Sequence, residues 1–312
     1  MESFRATGCW FLTGPTAGGK TEIGIALASL LGAEIVSLDS MAVYRGMDIG
    51  TAKPTVEQRA ATPHHLIDLV EPDRQFSLAE YLAAAEACVA DIRRRGKEVL
   101  FVGGTPLYLK GLLRGTFKGP AADPPLRRNL EEEERARPGT LHRRLVEVDP
   151  AAAARLHPND LRRLVRALEV FLKTGVPISK WQRHFDRGLP AERCRVFLLD
   201  WPRADLYRRI NCRVEAMFDE GLVDEVRRLL ARQTPLGRTA SQAVGYREVI
   251  EHLRGGPGLA ETIERVKTHT RQFAKRQWTW FRSLSECRPV PIGEPIDARG
   301  VARAIFAEGR GT

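Results

Sequence analysis

The chain has 312 residues, 43% hydrophobic and 28% charged, with 49 Lys and Arg against 39 acids and a formal charge of +10. That length can bury a sizeable core as one large domain or two moderate ones, and the basic balance suits either an anionic partner such as nucleic acid or simply a basic surface. The five scattered cysteines, the lack of any membrane-length apolar run and the lack of a secretory signature exclude a disulfide scaffold and a helical membrane protein, so a reduced, cytoplasmic protein is expected.

The first apolar run, Cys9 to Leu12, predicts a buried strand, and Ile23, Ile25, Ala26, Leu27, Leu30 and Leu31 follow it with helical spacing. Between them Gly14, Pro15, Thr16, Ala17, Gly18, Gly19, Lys20 and Thr21 fit G-x-x-x-x-G-K-[ST]. In such a phosphate loop backbone N–H groups wrap an anion, the lysine adds a mobile positive charge, and the threonine hydroxyl can meet Mg²⁺. The dipole of the following helix favours the same anion. The motif is of the nucleotide- and ATP-binding kind, yet it does not specify which phosphate compound it holds.

Glu34 to Leu38 predicts a second strand, which runs into Asp39 and Ser40. Ligands of a parallel sheet gather beyond the carboxyl ends of its strands, so Asp39 either faces the phosphate site or serves as a cap or turn aspartate. The stretch DSMAVYRGMDIGTAKP reads as a substrate loop, and the adjacent His64 and His65 as packing or turn residues without zinc spacing. Phe76 to Arg95 predicts a helix capped by Ser77 and closed by Gly96, and Val99 to Val102 a third strand leading to Gly103, Gly104 and Thr105. No acid stands at the end of that strand to hold Mg²⁺, which argues against a motor or switch ATPase.

From about Pro120 the α/β alternation stops, predicting segments 1–119 and 195–312 of one core around a helical insertion at 120–194. Asp160 caps a helix whose stripe is Leu161, Leu164, Val165, Leu168 and Leu172. Arg162, Arg163 and Arg166 fall away from it and, with Arg127, Arg128, Arg143 and Arg144, form either a solvated face or a basic face for RNA. Val196 to Leu199 returns as a strand ending in Asp200 and Trp201. Leu206 to Leu230 reads as a helix broken at Gly221; its Arg209 and Arg213, four apart, either clamp a phosphate or pair with Glu215 or Asp205. Ile263, Val266, Thr270, Phe273, Gln277, Trp280 and Leu284 predict a long helix against the core. Its other side carries Lys267, Arg271, Lys275, Trp278 and Arg282, suited to a ribose-phosphate backbone, with Trp278 equally suited to packing.

Taken together, GPTAGGKT, DSMAVYRGMDIGTAKP, HHLIDLVEP, VGGTPLYLKGLL, DPPLRR, HPNDLRRLVRALEV, RINCRVEAMFDEGLVDEV, AVGYREVI and TRQFAKRQWTWFR resemble the tRNA dimethylallyltransferase (tRNA isopentenyltransferase) family. The resemblance implies an α/β fold, a P-loop parallel-sheet core with an inserted helical tRNA-binding domain. It implies transfer of a dimethylallyl group from its diphosphate to the N6 amine of the adenosine beside the anticodon, with Mg²⁺ as cofactor and the tRNA anticodon stem-loop as partner. By it Asp39 is the general base, Thr16 to Thr21 hold diphosphate, Thr105 meets the target nucleotide and Arg213 contacts diphosphate. The segments Asp39, Ser40, Met41 and Ala42, then Arg127, then Arg162, Arg163, Leu164, Val165 and Arg166, then Gln242, Ala243, Val244, Gly245 and Tyr246 fall on tRNA contacts, to which the basic helix adds Arg271 and Lys275. Gly18, Ala42 and Pro106 depart from the family's usual serine, glutamine and glycine. A monomer without an obligate protein partner is expected. Two other readings share the first fifty residues: a prenyltransferase acting on free AMP and a small-molecule P-loop kinase.

Overall fold

The computed structural model describes residues 5–116, 119–181 and 188–311. The described residues fall into two compact units, 114–116 with 119–181 and the remainder, where the sequence reading sets the insertion at 120–194. Among them no helix is long and apolar enough to cross a membrane.

The larger unit is built on one sheet of six parallel strands, β1 (Trp10–Thr13), β2 (Ala33–Ser37), β3 (His64–His65), β4 (Glu98–Gly103), β5 (Val196–Asp200) and β6 (Cys287–Pro291), in the order β3-β2-β4-β1-β5-β6. The central strands read as unbroken apolar runs because both faces are covered. Alternate residues go to opposite sides. Phe11, Phe101 and Val196 pack under Tyr81, Leu109 and Phe281, while Trp10, Leu12, Leu100 and Phe197 pack under Ile23, Leu27, Ile210 and Ile305. Each such side chain contributes roughly 1.5–3 kcal/mol by leaving water, so a polar substitution in β1 would undo the sheet's centre.

Local signals match their elements. Ser77 and Glu80 form a reciprocal capping box at the start of helix Leu78–Arg94. Gly221, at φ 98°, separates helices Arg203–Asp219 and Leu222–Leu230. Pro106 opens helix Pro106–Arg114, where its missing N–H costs nothing. Two strands were not anticipated: β3 has only two residues, and β6 contains Pro289 and Pro291, tolerable because it is an edge strand. His65, expected as a packing or turn residue, stands in β3 with its Nε2 2.6 Å from Glu34 Oε2, while Arg95 grips the same carboxylate at 3.0 and 2.9 Å.

The smaller unit is helical in its described residues and packs on Leu130, Leu141, Leu145, Leu164, Val165 and Leu168. Here several expectations need correction. Leu164 and Val165, at 0% and 3% exposure, are core residues whose side chains have no surface to offer RNA, and Leu172, at 47%, lies outside the stripe. Arg127 and Arg166 are not free cations. Both converge on the buried Glu169 carboxylate, Arg127 at 2.8 Å through two nitrogens and Arg166 at 2.5 Å, and Arg166 also donates to Pro120 O. Burial works against that carboxylate's charge, but Arg127, the Asp123 N–H and Arg166 outweigh it and hold its pKa well down. Arg163 pairs with the helix-capping Asp160 at 2.9 Å, whereas Arg162 is exposed with no ion-pair partner among the described residues.

Candidate active site

The phosphate loop turns out of β1 at the sheet's centre. Its conformation needs a left-handed residue at Gly19 (φ 78°), where a Cβ would come within 2.6 Å of Ile296 Cδ1. Two of its carbonyls are braced from beyond β5: Trp201 Nε1 donates to Gly18 O at 3.1 Å and Arg209 Nε to Ala17 O at 2.9 Å. No side chain caps helix Lys20–Leu31, so its first N–H groups stay open to an anion in the cavity that Gly19, Lys20 and Thr21 line. That cavity, about 840 Å³, is enclosed by the loop, the ends of β2 and β4, helix Arg203–Asp219, the turn 239–246 and helix Leu259–Arg282.

Opposite the loop stand Asp39 and Thr105, brought together because β2 and β4 are neighbours. Asp39 satisfies both of its sequence readings. Its Oδ1 accepts from Met41 N at 2.8 Å and Ala42 N at 3.3 Å, as a turn aspartate does, while Oδ2 has no hydrogen bond among the described residues and the side chain lines the cavity. Thr105 Oγ1 accepts from Ser40 N at 3.0 Å, and Thr105 N donates to Leu38 O at 3.1 Å. Gly103 permits that seam, since a Cβ there would meet Leu38 O at 2.3 Å.

The cavity's electrostatics are one-sided. Burial, then the neighbouring Arg213 charge, pull the Lys20 ammonium down to about 7, with Asp39 opposing them. Lys20 counts as part-exposed only because the cavity reaches it; protein surrounds its ammonium, which donates to Pro15 O at 2.6 Å. Arg213 is likewise depressed by burial and by Arg209, again opposed by Asp39. Neither sequence-level ion pair forms: Asp205 goes to Arg208, Glu215 to Lys267, and Arg209 lies 3.3 Å from Glu294. An enclosed arginine and lysine sharing one carboxylate make a site for an anion, whose arrival favours the charged lysine.

The predicted substrate loop is held by a residue that its own sequence did not reveal. Glu225, buried, accepts from the N–H groups of Asp48, Ile49 and Gly50 at 3.0, 2.8 and 3.2 Å and from Tyr246 Oη at 2.6 Å. Tyr246 is therefore an anchor whose side chain is buried where it borders the cavity. Gln242, Ala243, Val244 and Gly245 line the cavity, with Gln242 exposed, and Ser40, Met41 and Ala42 line it beside Asp39. Ala42 is buried, and at Gly18 a Cβ would come within 2.9 Å of Pro15 O.

Helix Leu259–Arg282 also departs from its expected division of faces. Phe273, read as core, is 38% exposed on the cavity wall. Gln277, on the same stripe, is buried and reaches the phosphate loop. The supposed basic face is mostly paired. Lys267 bonds Glu215 and Glu264 at 2.6 and 2.7 Å, Arg271 bonds Asn211 Oδ1 at 2.6 Å, and Arg282 bonds Asp200 while lying 3.9 Å over the Trp278 ring. Of that set Lys275 alone, among the described residues, is exposed without a side-chain partner. Among the described residues no three His, Cys, Asp or Glu side chains cluster as a metal site.

Family models described as IPP transferase and isopentenyl transferase match residues 42–284 and 7–73. The chain is 53% identical to a tRNA dimethylallyltransferase of Rhodopirellula baltica over 94% of its own length and 91% of the relative's. It is 48% identical to one of Geobacter metallireducens over 92% and 93%. The full-length tRNA isopentenylpyrophosphate transferase of Bacillus halodurans superimposes with a TM-score of 0.69 at 36% identity, covering 97% of this chain and 96% of that one. A eukaryotic dimethylallyltransferase acting on tRNA superimposes with a TM-score of 0.79 at 27% identity, covering 96% and 78%. With the phosphate loop, Asp39 and Thr105 converging on one cavity, the chain belongs to the tRNA dimethylallyltransferase family.

Proposed function

We propose that the protein transfers a dimethylallyl group from dimethylallyl diphosphate to the N6 amine of the adenosine beside the anticodon of tRNA, releasing diphosphate. The observation that carries this reading is the pairing of an anion site, Lys20 and Arg213, with a carboxylate, Asp39, across one cavity. The bond from N6 to the prenyl C1 forms as the C1–O bond breaks, the N6 proton passes to Asp39, and the bonding pair leaves with diphosphate. Lys20, Arg213 and the open N–H groups of the loop stabilise the charge that builds on the leaving group. Thr105, stitched to Ser40, fixes the edge where the acceptor must lie. An adenine inside a stacked loop cannot reach this cavity, so the nucleotide is turned out; Gln242 and Lys275 of the larger unit, and separately Arg128 and Arg162 of the smaller, are among the exposed side chains that offer RNA a polar contact.

Mg²⁺ would be held on the protein side by the Thr21 hydroxyl, which lines the cavity and has no hydrogen bond among the described residues. When bound it would add to the neutralisation of the leaving group.

A kinase reading has less support. β4 ends at Gly103 and is followed by Gly104 and Thr105, and Asp200 at the end of β5 is occupied by Trp278 Nε1 at 2.7 Å and Arg282 at 2.9 Å. The test is mass spectrometry of digested tRNA after incubation with the protein, dimethylallyl diphosphate and Mg²⁺. One prenyl group added to the adenosine beside the anticodon is expected; efficient prenylation of free AMP with none on tRNA would favour the free-nucleotide enzyme.

A further inference from the structure

We propose that Gln277 is a positioning residue, whose side-chain amide sets the spacing between the diphosphate loop and the acceptor edge of the sheet. The proposal rests on the prenyl-transfer reading above. Gln277 sits on the inward face of helix Leu259–Arg282 between Ala274 and Phe281, both fully buried. An amide in such surroundings is costly unless its polar atoms are paired. Here both ends are used: Oε1 accepts from Thr16 N at 2.9 Å and Nε2 donates to Gly104 O at 2.7 Å. One end takes a donor from the phosphate loop, and the other gives a donor to the turn after β4. Among side chains of this length an amide alone does both without depending on its protonation state.

The surroundings are shaped to the amide. A Cβ on Gly104 would lie 2.7 Å from Gln277 Nε2, 3.2 Å from Gly14 O and 3.6 Å from Lys20 Nζ, so the glycine leaves room for the bridge beside the reactive ammonium. The next residue is Thr105, whose hydroxyl accepts from Ser40 N, and Ser40 follows Asp39. A continuous path therefore runs from the loop through Gln277, Gly104, Thr105 and Ser40 to the base. The bridge also occupies the Thr16 N–H, which leaves anion binding to the later N–H groups of the loop.

A group that holds donor and acceptor in line acts on the chemical step more than on either binding step. Misplacement by about 1 Å costs on the order of a hundredfold in rate. The test is single-turnover prenylation of tRNA at saturating dimethylallyl diphosphate with the full-length protein, comparing wild type with Gln277→Met, a neutral side chain of similar length that cannot bridge. The rate constant should fall by about a hundredfold, with tRNA affinity within about twofold of wild type and the amplitude preserved. Gly104→Ala, which keeps the glutamine but crowds its amide along with Gly14 O and Lys20 Nζ, should lower the rate constant in the same sense, and Gln277→Leu, which also removes both polar ends but touches neither Gly14 nor Lys20, decides the matter if Gln277→Met does not fold. An unchanged rate constant with only a reduced amplitude would mean that Gln277 merely helps the chain fold, and would overturn the proposal. Wild-type protein that failed to prenylate tRNA would overturn the underlying function, and the proposal with it.

Discussion

Lys20 should take up a proton when a diphosphate binds. Burial and the Arg213 charge hold its ammonium at about 7 in the free protein, against an ordinary value of 10.5. That displacement corresponds to about 5 kcal/mol against charging. A diphosphate placed against the ammonium reverses the balance, so the bound lysine is charged throughout the neutral range. At pH 8, where dimethylallyl diphosphate is itself largely ionised, binding should take up most of one proton, and less as the pH falls. Affinity should weaken by up to about tenfold for each pH unit above 7. The sign for the free protein is the opposite: the unfolded lysine holds its proton up to 10.5 while the folded one loses it near 7, so this residue's contribution to stability rises with pH between those values. Titration calorimetry of dimethylallyl diphosphate at pH 8 in HEPES and in Tris, whose ionisation enthalpies differ, gives the proton number directly. A binding enthalpy independent of buffer would refute the reasoning, because Lys20 would then already be charged in the empty site. Lys20→Met should abolish the buffer dependence.

Asp39→Asn keeps the oxygen that caps the Met41 and Ala42 N–H groups but removes the base, so turnover should drop by roughly 10² to 10⁴ with tRNA affinity unchanged, as steady-state kinetics and filter binding would report. Arg213→Ala should lower kcat/KM for the prenyl donor by about 10- to 100-fold, as for the loss of a hydrogen bond to a charged group, and should shrink the proton uptake at Lys20 by removing a charge that depresses it. An equal loss of donor use and tRNA binding would point to misfolding instead. Replacing Arg162 and Lys275 by glutamine should flatten the salt dependence of tRNA binding by about one unit per lost phosphate contact. Arg166→Gln should instead lower the thermal midpoint of the helical unit, because it strips a partner from the buried Glu169.

What could be read from the chain follows from the range of the interaction concerned. The phosphate loop and the cap at Ser77 are written in adjacent residues, and the parallel sheet follows from buried apolar runs, so spacing alone reveals them. Spacing cannot separate free cations from paired ones. Lys267, Arg271 and Arg282 share a helix side with Lys275, but their partners come from Glu215, Asn211 and Asp200, distant in sequence. Helical periodicity says which side faces inward and not what lies there, which is why Phe273 reads as core although it borders a cavity, and why Gln277 was counted on the stripe without its partner Thr16, 261 residues away. The Glu225 anchor was hidden for the same reason. The three departures from the family's usual residues leave Asp39, Lys20, Thr105 and Arg213 in place around one cavity.

The central claim is that the loop holds a prenyl diphosphate whose departure is driven by a tRNA acceptor. Its most direct measurement is pyrophosphate release followed beside prenyl incorporation in one reaction, with ATP supplied in parallel. The account predicts one pyrophosphate for each adenosine modified, none without tRNA, and no ATP turnover. ATP hydrolysis at a comparable rate in the absence of tRNA would contradict it.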